Sequence, residues 1–267
     1  MTDIFPHDVS LPGRLGVVAR IEDGDLRLDL LPTPETMHHG VVRASVLSFV
    51  IDAVAGIILD QDPDSWTFTS DMSVRMRATP APGRIVATNT VMRRGRRSAT
   101  CRVELVAADG RSIGTGAIGF VSVPRKEGDP PKLLVRPEQA PILFQGVGQL
   151  ARPLREEAGI EVIDAAGGVV QVEVTAELRN PAGTLQGAMV ALVAEAAAED
   201  LVGTRFGSPV VVADLDLRYL GQARVGPVRT RTRLLGDGPG APIEIELVDL
   251  STDTVTTLVY ARATTIP

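Results

Sequence analysis

A single cysteine, Cys101, excludes an intrachain disulfide and any cysteine metal cluster from this chain of 267 residues. Aromatic residues make up only 3%, so a core has to be built from Val, Leu, Ile and Ala. Lysine is almost missing: of 27 basic residues only Lys126 and Lys132 are lysines, an arginine bias that we read as genomic base composition. Basic charge is not in excess either, and a net charge of −6 gives no reason to expect nucleic acid as a partner. The longest apolar stretches, near 46–59 and 188–198, are too short for a membrane span and are interrupted by Asp52 and Glu195. The first eight residues show no basic region followed by an apolar one, so no signal peptide is expected. His38-His39 lacks spaced partners of ligand type, so no metal site is expected. These absences point to a soluble cytoplasmic protein that partners neither membrane nor nucleic acid. The 44% apolar content is enough for two domains of ordinary size or one intimate double domain.

What the chain does contain is itself, twice. Gly40-Val-Val-Arg-Ala-Ser-Val-Leu-Ser-Phe-Val-Ile-Asp52 reappears 143 positions later as Gly183-Thr-Leu-Gln-Gly-Ala-Met-Val-Ala-Leu-Val-Ala-Glu195. Both copies set a carboxylate inside an apolar helix, where burying it is costly without a purpose. The same shift carries Ser70-Asp71-Met-Ser-Val-Arg75 onto Ala213-Asp214-Leu-Asp-Leu-Arg218, and Pro82-Gly83-Arg-Ile85 onto Val225-Gly226-Pro-Val228. After a slip of one residue, Val103-Glu-Leu-Val106 falls on Ile245-Glu-Leu-Val248. A register held across helices, turns and strands marks a duplication.

Each copy has one plan. A strand with two-residue alternation comes first, Leu26–Leu30 in one copy and Val170–Val174 in the other. The long apolar helix follows. Alternating strands are then predicted at 71–77, 85–92, 99–106 and 113–123, with counterparts at 211–219, 228–235, 243–249 and 255–264. Arg94-Gly95-Arg96 and Asp109-Gly110 read as hairpin turns. The Pro-rich, charged stretch 124–141 reads as a linker between domains 1–123 and 142–267. On the first helix Ser45, Ser48 and Asp52 share a face. On the second Thr184, Gly187, Ala191 and Glu195 do the same, giving a narrow groove of small residues that ends at an acid.

A strand, a buried helix and an antiparallel meander are the plan of the hotdog fold. We therefore expect an α+β protein of two tandem hotdog domains forming a pseudodimer, each a curled antiparallel sheet around a central apolar helix. Asn180-Pro-Ala-Gly183-Thr-Leu-Gln186-Gly187-Ala188, with Glu195 nine residues after Gln186, resembles the signature of hotdog acyl-CoA thioesterases of the phenylacetyl-CoA thioesterase type. In the first copy Arg43-Ala44-Ser45 stands at the helix start, and Met37 stands where the Asn is expected.

The resemblance implies hydrolysis of aliphatic or aryl acyl-CoA to free acid and coenzyme A, with no cofactor beyond the substrate. It implies sites between the copies. One would join Asn180, Gln186 and Gly187 to Asp52, and the other Met37, Arg43 and Ala44 to Glu195. The first keeps every part, so Asp52 is the expected base or nucleophile, Gly187 N–H the carbonyl donor, and Asn180 the group that positions water or substrate. Glu195 is the reserve carboxylate. Gln186, Ala188, Gly183, Ser48 and Arg43 are the expected substrate contacts, with Arg94 and Arg96 at a hairpin tip as candidates for the coenzyme A phosphates. Rival readings are a non-catalytic acyl-CoA binder and, third, an enoyl thioester hydratase, which would need a His beside Asn180-Pro181. A homo-oligomer of pseudodimers is left open.

Overall fold

The computed structural model describes residues 10–80, 83–145 and 149–266. The N-terminal stretch read for a signal peptide and Pro82 of the predicted turn lie outside them. The first half runs β1 (Val17–Glu22), β2 (Asp25–Leu30), β3 (Met37–His38), β4 (Val41–Val42), α1 (Ala44–Leu59), β5 (Ser65–Met76), β6 (Ile85–Arg94), β7 (Ser98–Ala107) and β8 (Ser112–Pro124). The second runs α2 (Ala140–Leu143), α3 (Leu154–Glu157), β9 (Glu161–Asp164), β10 (Val169–Val172), α4 (Gly187–Phe206), β11 (Val210–Tyr219), β12 (Val228–Leu234), β13 (Ile243–Asp249) and β14 (Thr254–Thr265).

Twelve strands form one sheet in the order β1-β2-β6-β7-β8-β5-β11-β14-β13-β12-β10-β9, every pairing antiparallel. Reading inward from either edge, the two halves present equivalent strands. They meet at β5 and β11, where Ser73 faces Asp216, Asp71 faces Arg218 and Arg75 faces Asp214. Ser73 and Asp216 are 143 positions apart, so Ser73 meets its own repeat equivalent while Asp71 and Arg75 each meet the other's, the pattern of a two-fold relation. Arg75 also binds Asp216 at 2.6 Å across this seam.

The strand predictions hold with modest shifts, and three differences have physical causes. β1 and β9 form the two sheet edges and are much exposed, so their sequences lack the apolar alternation that reveals a half-buried strand. β5 starts at Ser65 rather than 71, because its first residues run past the end of α1 and line a cavity. Residues 41–42, apolar like the helix, form instead a small pairing with Met37–His38.

The two long helices pack against the sheet, α1 mostly on the strands of the first half and α4 on those of the second. Leu47, Val50, Ile51 and Val54 of α1 are fully buried, as are Leu192, Ala194, Ala196 and Ala197 of α4. Close packing needs small residues on the sheet as well. At Gly116 on β8 an added Cβ would lie 2.5 Å from Ile51 Cδ1. Small residues on α4 likewise let α1 and α4 pack against each other.

Candidate active site

The two helix starts solve one problem differently. An α-helix begins with backbone N–H groups that have no partner within it, and a partial positive charge gathers there. At α1, Arg43 precedes the helix without capping it through its side chain. Its partner comes from the other half. Ala44 N–H donates to Glu195 Oε1 at 2.7 Å, Ser45 N–H to Oε2 at 3.4 Å, and Ser45 Oγ–H to Oε2 at 2.5 Å. Glu195 is 1% exposed.

This pole is closed further by a buried charge cluster. Arg43 lies 3.6 Å from Glu195 and 2.9 Å from Glu199, and His38 lies 3.6 Å from Glu199. Burial pushes the Glu199 carboxyl up to about 8 against the opposing pull of Arg43, and Glu195 adds to the rise. Burial, Arg43, His39 and Arg155 hold His38 down at about 3, so its ring is neutral. Arg43 Nε and Glu199 Oε1 are buried without a hydrogen-bond partner among the described residues.

The other pole is open. Gln186 Oε1 caps α4 by accepting from Ala188 N–H at 2.6 Å and Met189 N–H at 3.3 Å. The repeat equivalent of Ala44 is Gly187, and its N–H has no acceptor among the described residues. The equivalent of Glu195 is Asp52, one methylene shorter, which accepts from Thr69 Oγ1–H at 2.6 Å. Asp52 and Gly187 line one cavity of about 520 Å³ together with Asn180, Gln186, Thr69 and Tyr219. Tyr219 links the two sides. Its hydroxyl donates to Gly187 O at 3.1 Å, and burial, reinforced by the Asp52 charge, keeps the phenol protonated. Burial raises the Asp52 carboxyl above its ordinary 3.8, with the Thr69 hydroxyl opposing. A buried carboxylate sharing a cavity with a helix start whose first donor is unpaired among the described residues is an arrangement able to activate water toward a carbonyl and hold the resulting oxyanion.

Asn180 shares this cavity, but its Oδ1 accepts from Ala182 N–H and Thr184 N–H, both at 3.1 Å. Its oxygen therefore holds the loop, and its amide NH2 is the part left for a ligand. The remaining sequence candidates lie elsewhere. Gly183 forms the adjacent turn with φ +79°. Ala188 is buried with its N–H given to Gln186. Ser48 is fully buried, and its Oγ–H donates to Ala44 O at 2.9 Å inside its own helix. Arg43 belongs to the closed pole. Arg94 and Arg96 stand exposed at the β6–β7 hairpin and do not line the cavity.

Sequence reasoning passed over Thr69, Tyr219 and Gly56. The signal lay in departures from the repeat: Tyr219 stands opposite Met76, and Gly56, which lines the cavity, stands opposite Glu199, which fills its counterpart. An added Cβ at Gly56 would meet nothing within 4 Å.

The cavity has two unlike ends. Along α1, Phe49, Ala53 and Ile57 line an apolar half that reaches Leu133, Val135 and Phe144. The other half carries Arg179, Asn180 and Gln222. Exposed Arg179 donates to Val174 O at 3.1 Å and Arg224 O at 3.2 Å, and neither arginine has a carboxylate partner among the described residues.

No family model matches the chain, and no curated protein sequence does. Solved structures do. The tesB protein of Mycobacterium avium subs. paratuberculosis superposes with a TM-score of 0.64 at 10% identity, over 96% of this chain and 98% of that one. The 12:0-ACP thioesterase of Umbellularia californica gives 0.61 at 10% identity, over 90% and 94%. A conserved protein of unknown function with hot dog fold from Alicyclobacillus acidocaldarius gives 0.58 at 11% identity, over 96% and 98%. At such identities the likeness defines the fold: the chain has the hotdog fold, a large antiparallel sheet around central helices.

Proposed function

We propose that the chain is a tandem pair of hotdog repeats that hydrolyses acyl thioesters of coenzyme A at one site between the repeats. One observation carries the reading: the Asp52 carboxylate and the start of α4 line one cavity, where Gly187 N–H has no partner among the described residues, while the equivalent donor at α1 is occupied by Glu195. Thioesterases among the proteins of like fold support the reaction class.

In the proposed reaction Asp52 takes a proton from a water molecule, whose oxygen forms a bond to the thioester carbon. The carbonyl oxygen gains negative charge and is held by Gly187 N–H and the positive end of α4. The carbon–sulfur bond then breaks, and the proton on Asp52 passes to the departing thiolate. Thr69 fixes the Asp52 carboxylate, and Tyr219 fixes the Gly187 peptide. The acyl group occupies the apolar half, and the phosphate-bearing arm leaves past Arg179 and Arg224, whose planar guanidinium groups suit phosphate.

The test is thiol release from a panel of short, long, branched and aromatic acyl-CoAs. Free coenzyme A at a rate proportional to enzyme supports the proposal. Tight acyl-CoA binding without thiol release would instead indicate a carrier of thioesters. A change in enoyl absorbance without thiol release would indicate hydration.

A further inference from the structure

The apolar half of the cavity ends on the segment that joins the two halves of the chain, and that segment is fastened with care. Lys132, one of only two lysines, has a side chain 1% exposed. Its Nζ donates to Asp60 Oδ1 at 2.6 Å, Asp62 O at 2.8 Å and Ser65 O at 2.6 Å, so all three ammonium donors are satisfied. It also lies 5.6 Å from the centre of the Trp66 ring, whose Nε1–H donates to Asp129 at 3.1 Å. Gln61 Nε2–H donates to Val135 O at 2.9 Å. A buried ammonium with a full set of partners costs too much to serve as decoration. Its effect is to pin residues 129–135 across the C-terminal end of α1 and the start of β5.

The pinned residues then face the cavity. Leu133 and Val135 are among its lining residues, as are Leu143 and Phe144. On α1 the cavity stripe runs Asp52, Ala53, Gly56, Ile57, at the three- and four-residue spacing of one helix face, and continues to Asp60 just past the helix end. The eight residue steps from Asp52 to Asp60 span about 12 Å at the helical rise of about 1.5 Å per residue. That is the length of a medium alkyl chain, and Asp60 at its end is occupied by Lys132.

We infer that the inter-repeat linker is the ruler for the acyl group: Leu133 and Val135 receive its methyl end, with Phe144 beside them in the lining, and Lys132 positions the two linker residues. This rests on the proposed thioesterase reading. The substrates it selects are unbranched medium-chain thioesters, because the floor is apolar and fixed at one distance from Asp52.

The experiment uses the full chain with a series of straight acyl-CoAs from butyryl to palmitoyl, scored as kcat/KM for each. Leu133→Trp enlarges an exposed side chain at the floor and is expected to lower kcat/KM for the longest accepted chain at least ~10-fold relative to shorter ones. Phe144→Ala is expected to move the optimum toward longer chains. Lys132→Met keeps the stem but loses the clamp, and is expected to flatten the length profile while activity on short chains persists. Binding of non-hydrolysable alkyl-CoA thioethers, measured by calorimetry on the same variants, separates this idea from the reaction itself. If no thioester is hydrolysed but thioether affinity follows the same length shifts, the ruler stands and the thioesterase reading falls. Length profiles identical to wild type in all three variants, each with an unchanged melting temperature, would overturn the ruler. So would failure of every thioether to bind.

Discussion

Asp52 and Glu195 differ by one methylene, and the structure shows what that group does. The longer side chain reaches the opposite helix start and caps it; the shorter one stops at Thr69 and leaves a donor open. Asp52→Glu should therefore abolish thiol release although it keeps the carboxylate, because a Glu at this position would cap Gly187 as Glu195 caps Ala44. Thiol release together with the melting temperature checks this, since the capped variant should be at least as stable as wild type. The raised carboxyl of Asp52 also fixes the sign of a pH effect on the rate. As a base it must be ionised, so kcat/KM should climb with pH through a midpoint above 3.8. Glu199 shows the stability counterpart. Its folded value of about 8 exceeds its ordinary 4.5, so the folded state binds the extra proton and stability falls as pH rises between those values. Glu199→Gln should flatten that fall, seen as a melting temperature that drops less from pH 5 to pH 8.

At the scale of the element, the decisive feature is the stripe along α1. Gly56 lines the cavity where its repeat equivalent, Glu199, fills the closed pole. Gly56→Leu should occupy the cavity and suppress hydrolysis, while leaving the fold intact because open space surrounds the position. Unchanged activity with a normal melting curve would contradict the assignment of the cavity. The helices and the repeat register were legible in the sequence because a carboxylate in an apolar run is rare and its recurrence rarer. Gly187 was legible as a candidate through the resemblance to the family signature at the start of α4. Tyr219 and Thr69 were not, because a strand side chain acquires a role only when the sheet brings it beside the helix start. Ser48 misled for the opposite reason: it shares a face with Asp52, yet its hydroxyl turns back onto the backbone of α1. The edge strands β1 and β9 escaped notice because exposure removes the apolar pattern.

At the scale of the whole molecule, one sheet joined at β5 and β11 holds two helices in a two-fold relation, and the two poles so formed have diverged. One is packed with Arg43, Glu195 and Glu199; the other is a cavity with a carboxylate and a free helix donor. The two-fold frame was visible as the 143-residue repeat. The asymmetry was only partly visible, because Arg43 read as a substrate contact until its buried partners were known. The central claim is a single working site per chain, centred on Asp52. Thiol release by Asp52→Asn and Glu195→Gln, measured side by side on the same acyl-CoA, tests it most directly. Asp52→Asn is expected to lose about 10²–10⁴-fold. Glu195→Gln is expected to keep activity near wild type, with a loss of about 1–3 kcal/mol in stability from the weakened cap of α1. Full activity in Asp52→Asn, with activity lost in Glu195→Gln, would contradict it.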